Sequence, residues 1–446
     1  MFKKILIANR GEIALRIIRA CRDMGIQTVA VYSTADQNSL FVKLADESVC
    51  IGPPKSSESY LVTQRILSAA EITGADAIHP GYGFLAENEE FAKVCQQCGI
   101  TFIGPRPEDL ELMGDKIRSR QAMSKLGLSL LPSTLIQSDD IHQAAKAIEK
   151  MELPIIVKAS AGGGGKGIKI VRNMDDFWTT VKTAQAEAQA AFGDSTVYVE
   201  KYLEAARHIE FQVAADKHGN VIHLGERDCS VQRRYQKIIE ESPSPAVDAK
   251  LRDEMGERVV KALKEVGYQN VGTVEFLMDE KKNFYFLEMN TRIQVEHPVT
   301  EQVTGLDLIQ LQIRLAAGEE LPFRQKDVKF EGHSMEFRIN AEDPEKFLPS
   351  CGKITDLHVP GGRGVRIDSG IYSGITITPY YDSMLAKLII SAENREQVIR
   401  KAKAALQEFQ VEGISTNIPL HERILDDQSF QKGNISTRYL DNLLKK

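Results

Sequence analysis

Residues 273–297 run TVEFLMDEKKNFYFLEMNTRIQVEH. Two alternating segments, Thr273–Asp279 and Phe284–Asn290, flank a polar four-residue stretch, Glu280–Asn283. Alternation with period two is the mark of strands, and a polar linker joins them as a hairpin. In the simplest register Thr273 lies opposite Asn290 and Glu275 opposite Glu288. One face is then Val274, Phe276 and Met278 against Met289, Leu287 and Tyr285. That face is apolar and must lie on a core, because a one-residue slip would turn it outward.

The other face carries the chemistry. Like charges directly opposed across a ladder are destabilising. A divalent ion between Glu275 and Glu288 would reverse the sign. Two carboxylates with the amide oxygen of Asn290 suit Mg²⁺ or Mn²⁺, hard ions that keep room for phosphate. Leu277 and Phe286 share this face and are candidates to line an adenine pocket. The competing reading is a solvated face with an incidental pair of glutamates. If the backbone stays extended past the hairpin, Glu288, Asn290, Arg292, Gln294 and Glu296 fall on one side. Arg292 can grip a small oxyanion with two parallel hydrogen bonds. Glu296 beside it is placed to act as a base toward that anion.

Upstream, Gly162-Gly163-Gly164-Gly165-Lys166-Gly167 separates the strand-like segments 155–160 and 168–172. Ordering four successive glycines costs backbone entropy, which close approach of N–H groups to phosphate would justify. No helix follows, and Gly167 stands where a P-loop needs Ser or Thr. The run is either a phosphate-covering lid or a flexible hairpin tip; Lys158 just before it and Lys116 favour the lid. Arg233, Arg234 and Lys237 form a further cationic patch, of which Lys237 is singled out.

The first 110 or so residues alternate apolar strands (3–8, 28–32, 48–52, 76–79, 101–104) with helical spacing, such as Ile13, Ile17, Cys21 and Met24. This predicts an open parallel α/β sheet. Its first turn, Asn9-Arg10-Gly11-Glu12, lacks the G-x-G-x-x-G dinucleotide fingerprint, which argues against NAD. Helices are expected over 115–126, 174–191, 248–266, 304–317 and 395–410, and a β-rich segment from about 331. With 446 residues the chain should form roughly three domains.

A net charge of -6 argues against a nucleic-acid partner. No apolar run reaches the length of about 20 residues that spans a bilayer. The opening MFKKILIANR turns polar too early for a signal peptide. A cytoplasmic protein is expected. Of six cysteines, Cys95 and Cys98 form a C-x-x-C pair with no second pair, and two helical thiols are expected rather than a zinc site.

Five stretches together resemble biotin carboxylase: ILIANRGEIALRIIRACRDMG (5–25), HPGYGFLAEN (79–88), KASAGGGGKG (158–167), GERDCSVQRR (225–234) and EMNTRIQVEHPVTE (288–301). The resemblance covers essentially the whole chain. It implies an α/β and α+β architecture: a Rossmann-like pre-ATP-grasp domain (1–114), an ATP-grasp domain (115–330) whose mobile glycine-rich lid spans about 131–203, and a β-rich C-terminal domain (331–446).

Matched motif by motif, the resemblance puts ATP at Lys116, Lys158, Gly164, Gly165, Glu200, Lys201, Leu203, His208 and Gln232. It puts two Mg²⁺ or Mn²⁺ ions at Glu275, Glu288 and Asn290. Bicarbonate falls to Lys237, Arg292, Gln294, Val295 and Glu296; biotin falls to Arg338, with Tyr82 on the substrate side. Arg292, Glu296, Arg338 and Lys237 are the catalytic candidates. None of the eleven methionines precedes a lysine, so biotin is expected on a separate biotin carboxyl carrier protein. A carboxyltransferase component and a homodimer are further expectations, with acetyl-CoA carboxylase as the assumed setting. Two departures from the family pattern stand out: Tyr235 where histidine is usual, and Ala161 opening the glycine run. The alternative function is another ATP-grasp ligase that joins a carboxylate to an amine.

Overall fold

The computed structural model describes residues 1–136, 148, 151–159, 169–193 and 195–445. Three sheets position the site. The first is parallel, with β1 (Lys4–Ile7), β2 (Gln27–Ser33), β3 (Glu47–Gly52), β4 (Ala77–His79) and β5 (Thr101–Phe102) in the order β3-β2-β1-β4-β5. Its strands are short apolar runs, as expected where both faces are covered. The helix α1 (Gly11–Asp23) buries Ile13, Ile17, Ile18 and Cys21 against one face. The strand order reverses between β1 and β4, and the crevice beyond that point is where open α/β sheets take ligands. The Asn9 amide bridges it, donating to the carbonyls of Pro80 (2.6 Å) and Tyr82 (2.7 Å).

The second sheet is antiparallel: β6 (Ser133–Ile136), β7 (Ile155–Ala159), β8 (Lys169–Val171) and β9 (Val197–Lys201), in the order β6-β9-β7-β8. The glycine run between β7 and β8, with the expected contacts Gly164 and Gly165 and the departure Ala161, lies outside the described residues. The helix α2 (Lys116–Lys125) precedes this sheet, its N-cap Asp115 accepting from the N–H groups of Ile117 and Arg118.

The third sheet has eight antiparallel strands. They are β10 (Arg207–Ala215), β11 (Val221–Arg233), β12 (Gln236–Ser242), β13 (Asn270–Met278), β14 (Phe284–Asn290), β15 (His333–Asn340), β16 (Val365–Ser369) and β17 (Met384–Ala392). Their order is β14-β13-β10-β11-β12-β15-β17-β16. One sheet thus runs from the glutamate hairpin, through the β12–β15 pairing, into the C-terminal segment. The helix α3 (Ala249–Val266) matches its sequence signals: Asp248 caps it through the Leu251 N–H, and Gly267 ends it at φ 71°.

Three expectations need correction. The hairpin register holds at Thr273–Asn290, Val274–Met289 and Glu275–Glu288, then slips by one at a bulge, so that Phe276 faces Phe286 and Met278 faces Phe284. Phe286 and Phe284 therefore join Val274, Phe276, Met278 and Met289 in the core, and Phe286 is not a pocket residue. Leu287 takes its place beside Leu277 on the cavity side. Tyr285 leaves the core and is half-buried, its hydroxyl donating to Asp279 at 3.2 Å. Second, the chain is not extended after Asn290: it bends at Arg292 and turns into the helix α4 (His297–Thr304), which has Pro298 in its first turn. Third, the single helix expected over 304–317 is interrupted. Gly305 ends α4 at φ 71°, and Asp307 caps a new helix, α5 (Leu308–Ala316).

Cys95 is buried on the helix Glu89–Gln97 and Cys98 is exposed at its end. Among the described residues, no helix is long and apolar enough to cross a membrane.

Candidate active site

The three sheets enclose a cavity of about 1230 Å³. On β10 the apolar residues Ile209, Phe211 and Val213 enter the core, so His208, Glu210 and Gln212 point the other way. Ladder pairing sets Glu210 opposite Glu275 on one side and opposite Arg227 on the other. Glu275 is in turn opposite Glu288. The site floor is therefore a row of side chains, Glu288–Glu275–Glu210–Arg227, drawn from four neighbouring strands.

Buried carboxylates abreast need positive charge between them. Lys237, from β12, supplies it: its ammonium donates to Glu210 Oε2 (2.6 Å), Glu275 Oε1 (3.1 Å) and Glu296. Burial opposes its charge, but these neighbours outweigh burial and hold the ammonium well above its ordinary pKa. His208 Nε2 meets Glu275 Oε2 at 2.9 Å, and Asn290 and Gln294 donate to Glu275 Oε1 at 2.9 and 2.6 Å. Against the pull of burial, Lys237 and His208 keep the Glu275 carboxyl well below its ordinary value. Glu288 is less well supported: burial first, then the facing Glu275, pushes its carboxyl up and outweighs Lys116 and His208. A half-buried carboxylate repelled by its neighbour is where an added divalent cation would be stabilising, and the oxygen-rich pair fits a hard ion. Asn290 fits less simply, since its Oδ1 accepts from Arg292 at 2.9 Å.

The bent segment after β14 still brings Arg292, Gln294, Val295 and Glu296 to the cavity wall, with Arg338 from β15 and Tyr82 from the parallel sheet. Glu296 joins two of these: one oxygen accepts from Lys237, the other from Arg338 at 2.9 Å. Burial would raise its carboxyl, but Lys237, Arg338 and Arg227 overcome that and hold it far below the ordinary carboxylate range. Arg338 also donates through Nε to Glu240 at 2.6 Å. Arg292 is oriented by Glu87 at 2.9 Å, across from the parallel sheet. The Val295 carbonyl accepts from Lys387 at 3.0 Å, and the Tyr82 hydroxyl is bonded to Glu12.

On the opposite wall, Glu200 is locked between Arg120 (2.7 Å) and Lys158 (2.8 Å). Lys201 donates to the carbonyl of Glu152 at 2.6 Å. Lys116, Leu203 and Gln232 also line the cavity, and Leu131, Ile156, Leu277 and Leu287 give it an apolar recess. Arg233 is diverted from the anion role considered for it and lies over the Phe347 ring at 3.6 Å. Tyr235, at φ 67° in the β11–β12 turn, reaches the cavity edge.

Glu87, Glu210, Arg227, Glu240 and Leu287 belong to the site but were not picked out from the sequence. Arg227 is the most consequential of them. It is 0% exposed, and it donates to Glu210, Gln212, Thr300, Thr273 and Gln294.

Three family models match the chain: the biotin carboxylase N-terminal domain over residues 1–110, the carbamoyl-phosphate synthase L chain ATP-binding domain over 115–324, and the biotin carboxylase C-terminal domain over 336–442. A biotin carboxylase of Haemophilus influenzae is 54% identical over 445 residues, covering 100% of this chain and 99% of that protein. A component of the pyruvate carboxylase of Methanothermobacter thermautotrophicus is 53% identical, covering 99% of this chain and 90% of that one. Among solved structures, the biotin carboxylase domain dimer of Hydrogenobacter thermophilus 2-oxoglutarate carboxylase, in complex with MgADP, ADP and bicarbonate, superposes with a TM-score of 0.95. It is 50% identical and covers 100% of this chain and 99% of that one.

Proposed function

The chain belongs to the biotin carboxylase family, and from that premise we propose that it uses ATP and bicarbonate to carboxylate biotin, releasing ADP and phosphate. This makes it an ATP-dependent ligase forming a carbon–nitrogen bond. The observation that carries the reading is the bridge made by Glu296 between Lys237 and Arg338, with Arg292 and Gln294 on the same wall. That wall offers a small oxyanion a cationic cradle with a carboxylate base inside it.

Glu275 and Glu288, with Asn290 beside them, are the residues that would hold Mg²⁺ or Mn²⁺, which supplies neutralisation of phosphate charge during transfer. Lys116 and Lys158 bind the nucleotide phosphates from the opposite wall, and Glu200 orients Lys158. Glu200, Lys201, Leu203, His208 and Gln232 complete the ATP side, and the apolar recess at Leu277 and Leu287 receives the base. Arg292, Gln294 and Val295 orient bicarbonate. Glu296 takes its proton as its oxygen attacks the γ-phosphorus, giving carboxyphosphate and ADP.

Held so low by Lys237 and Arg338, Glu296 is a weak base until the incoming anion engages those cations. Carboxyphosphate then yields CO₂ and phosphate, and the phosphate takes the ureido N–H proton of biotin. Arg338 stabilises the enolate oxygen that results, with Tyr82 alongside, and the biotin nitrogen attacks CO₂.

The finer assignments belong to the same proposal. They are a cytoplasmic homodimer, biotin delivered on a separate carrier protein, and a transferase component, as the first half of acetyl-CoA carboxylase. Components of a pyruvate carboxylase and a 2-oxoglutarate carboxylase are comparably similar to this chain. The test is ADP release from ATP and Mg²⁺. Bicarbonate should be required and free biotin should accelerate it. Release that needs a carboxylic acid and an amine instead would establish the rival ligase.

A further inference from the structure

Behind Arg338 the sheet holds two carboxyl groups that the reaction above does not use. Glu240 on β12 lies directly opposite Glu336 on β15. Both are 0% exposed. Glu336 and Arg338 are two residues apart on one strand and so share a face. Glu240 Oε1 accepts from Arg338 Nε at 2.6 Å. The other three carboxyl oxygens of the pair, Glu240 Oε2 and both of Glu336, are buried without a hydrogen-bond partner.

Among the described residues, no neighbouring cation makes up the hydrogen-bond deficit. Lys387 on β17 lies opposite Arg338, but its ammonium is directed to the Val295 carbonyl (3.0 Å) and Glu12 (3.2 Å). Tyr82 is bonded to Glu12, Lys237 to Glu210, Glu275 and Glu296, and Arg338 divides its donors between Glu240 and Glu296. Two ionised carboxylates facing each other in this setting would have one donor, Arg338, for four buried oxygens. One proton removes the conflict: it neutralises one acid and gives the other a hydrogen-bond donor.

We propose that Glu240 and Glu336 hold a single proton between them, and that the pair fixes the direction and effective charge of the Arg338 guanidinium. Glu336 is then a positioning residue. It touches no substrate; it fixes Glu240, and Glu240 holds the Nε edge of Arg338. With the proton present, Arg338 faces two carboxylate charges, on Glu240 and Glu296, rather than three. It keeps more positive potential for an incoming oxygen. Burial acts in the same direction on both acids, raising Glu240 to about 7 and Glu336 well above its ordinary value.

The role assigned to Arg338 rests on the proposed function; the shared proton does not. The experiment therefore has two arms, on the full chain at neutral pH. In the first, infrared difference spectra compare wild type with Glu336→Gln. The amide offers the same donor to Glu240, so a protonated-carboxyl C=O stretch should be lost and no carboxylate band. In the second, biotin-dependent turnover should survive Glu336→Gln within about threefold. It should fall roughly tenfold or more in Glu336→Leu, which leaves Glu240 Oε2 without a donor, with KM for ATP unmoved. Loss of a carboxylate band instead, or Gln as damaging as Leu, would overturn the inference. If the Leu variant does not fold, the infrared arm and the Gln variant still decide. A wild-type chain that shows the acid band but no bicarbonate-dependent ADP release supports the shared proton and overturns the functional reading alone.

Discussion

Replacing Lys237 by methionine, which has nearly the same length, removes the ammonium that Glu210, Glu275 and Glu296 share. At 2.6 and 3.1 Å each of the first two pairs has a gross attraction of about 5–6 kcal/mol for an effective dielectric of about 20. Most of that repays desolvation, and breaking a buried pair by deleting one partner costs about 3–5 kcal/mol net. The low end applies here, because each carboxylate keeps another partner: Glu210 keeps Arg227, Glu275 keeps His208, and Glu296 keeps Arg338.

The pH dependence follows from the same contacts. In the wild type Glu275 and Glu296 have depressed carboxyls, so their contribution is complete above the unfolded carboxylate value and is lost only as pH falls through the folded ones. In the variant burial is unopposed by Lys237, and the folded values rise. The penalty is then full at mildly alkaline pH and shrinks on acidification as the carboxyls protonate. Urea unfolding midpoints of both proteins, followed by far-ultraviolet circular dichroism near pH 8 and near pH 6, read this directly. The expected gap is about 3 kcal/mol at the higher pH and visibly smaller at the lower. Adding Glu210→Gln to the variant should recover about 1 kcal/mol or more. A gap that is constant or widens on acidification would refute the shared-cation account.

The bulge gives a paired prediction. Leu287→Asp puts a charge in the apolar recess and should raise KM for ATP about tenfold while leaving the fold intact; Phe286→Asp buries a charge in the core and should abolish folding. The uninterrupted register would exchange the two outcomes, and soluble yield with ATP kinetics tells them apart. Glu275→Gln should move His208 from above its ordinary imidazole value to below it. Burial already pulls that group down, and Glu275 is the main group that lifts it, with a smaller push from Glu210. An NMR titration of His208 checks this, and the same variant should need more Mg²⁺ for half-maximal turnover.

Which residues could be read from the chain follows from physics. Glu275 facing Glu288 was legible because polar and apolar positions alternate cleanly there. The slip beyond it was not, because Phe286 and Leu287 are adjacent and both apolar, so alternation cannot say which one turns inward. The polar stripe was recognised for the wrong backbone: Pro298 favours a helix start, and the chain bends before it. Even so, the bend and the extended strand bring the same residues to the cavity. Glu210 had a usable signal in the alternation of RHIEFQVAA, the same pattern that exposed the hairpin. Arg227 and Glu87 had none, since the partners of Arg227 are spread from 15 to 73 residues away in sequence and that of Glu87 lies 205 away. The match between motifs and family supplied the nucleotide-side residues, which composition and spacing alone did not assign.

The arrangement of charge bears on how such a site can be tight for its fold yet responsive to substrate. Lys237, Arg227, Arg292 and Arg338 each already have a carboxylate partner. An anion therefore binds by competing with a carboxylate for its cation. The net electrostatic gain is modest, because one ion pair is exchanged for another. The consequence for the displaced carboxylate is large, since a neighbour that depressed its pKa has turned to the ligand. Under the proposed function, Glu296 loses support from Lys237 or Arg338 only when an oxyanion claims one of them, and at that moment its basicity rises beside the group it is proposed to deprotonate. In that proposal proton acceptance is tied to occupancy, and an acid that would titrate idly in an open pocket stays ionised and inert until the oxyanion arrives.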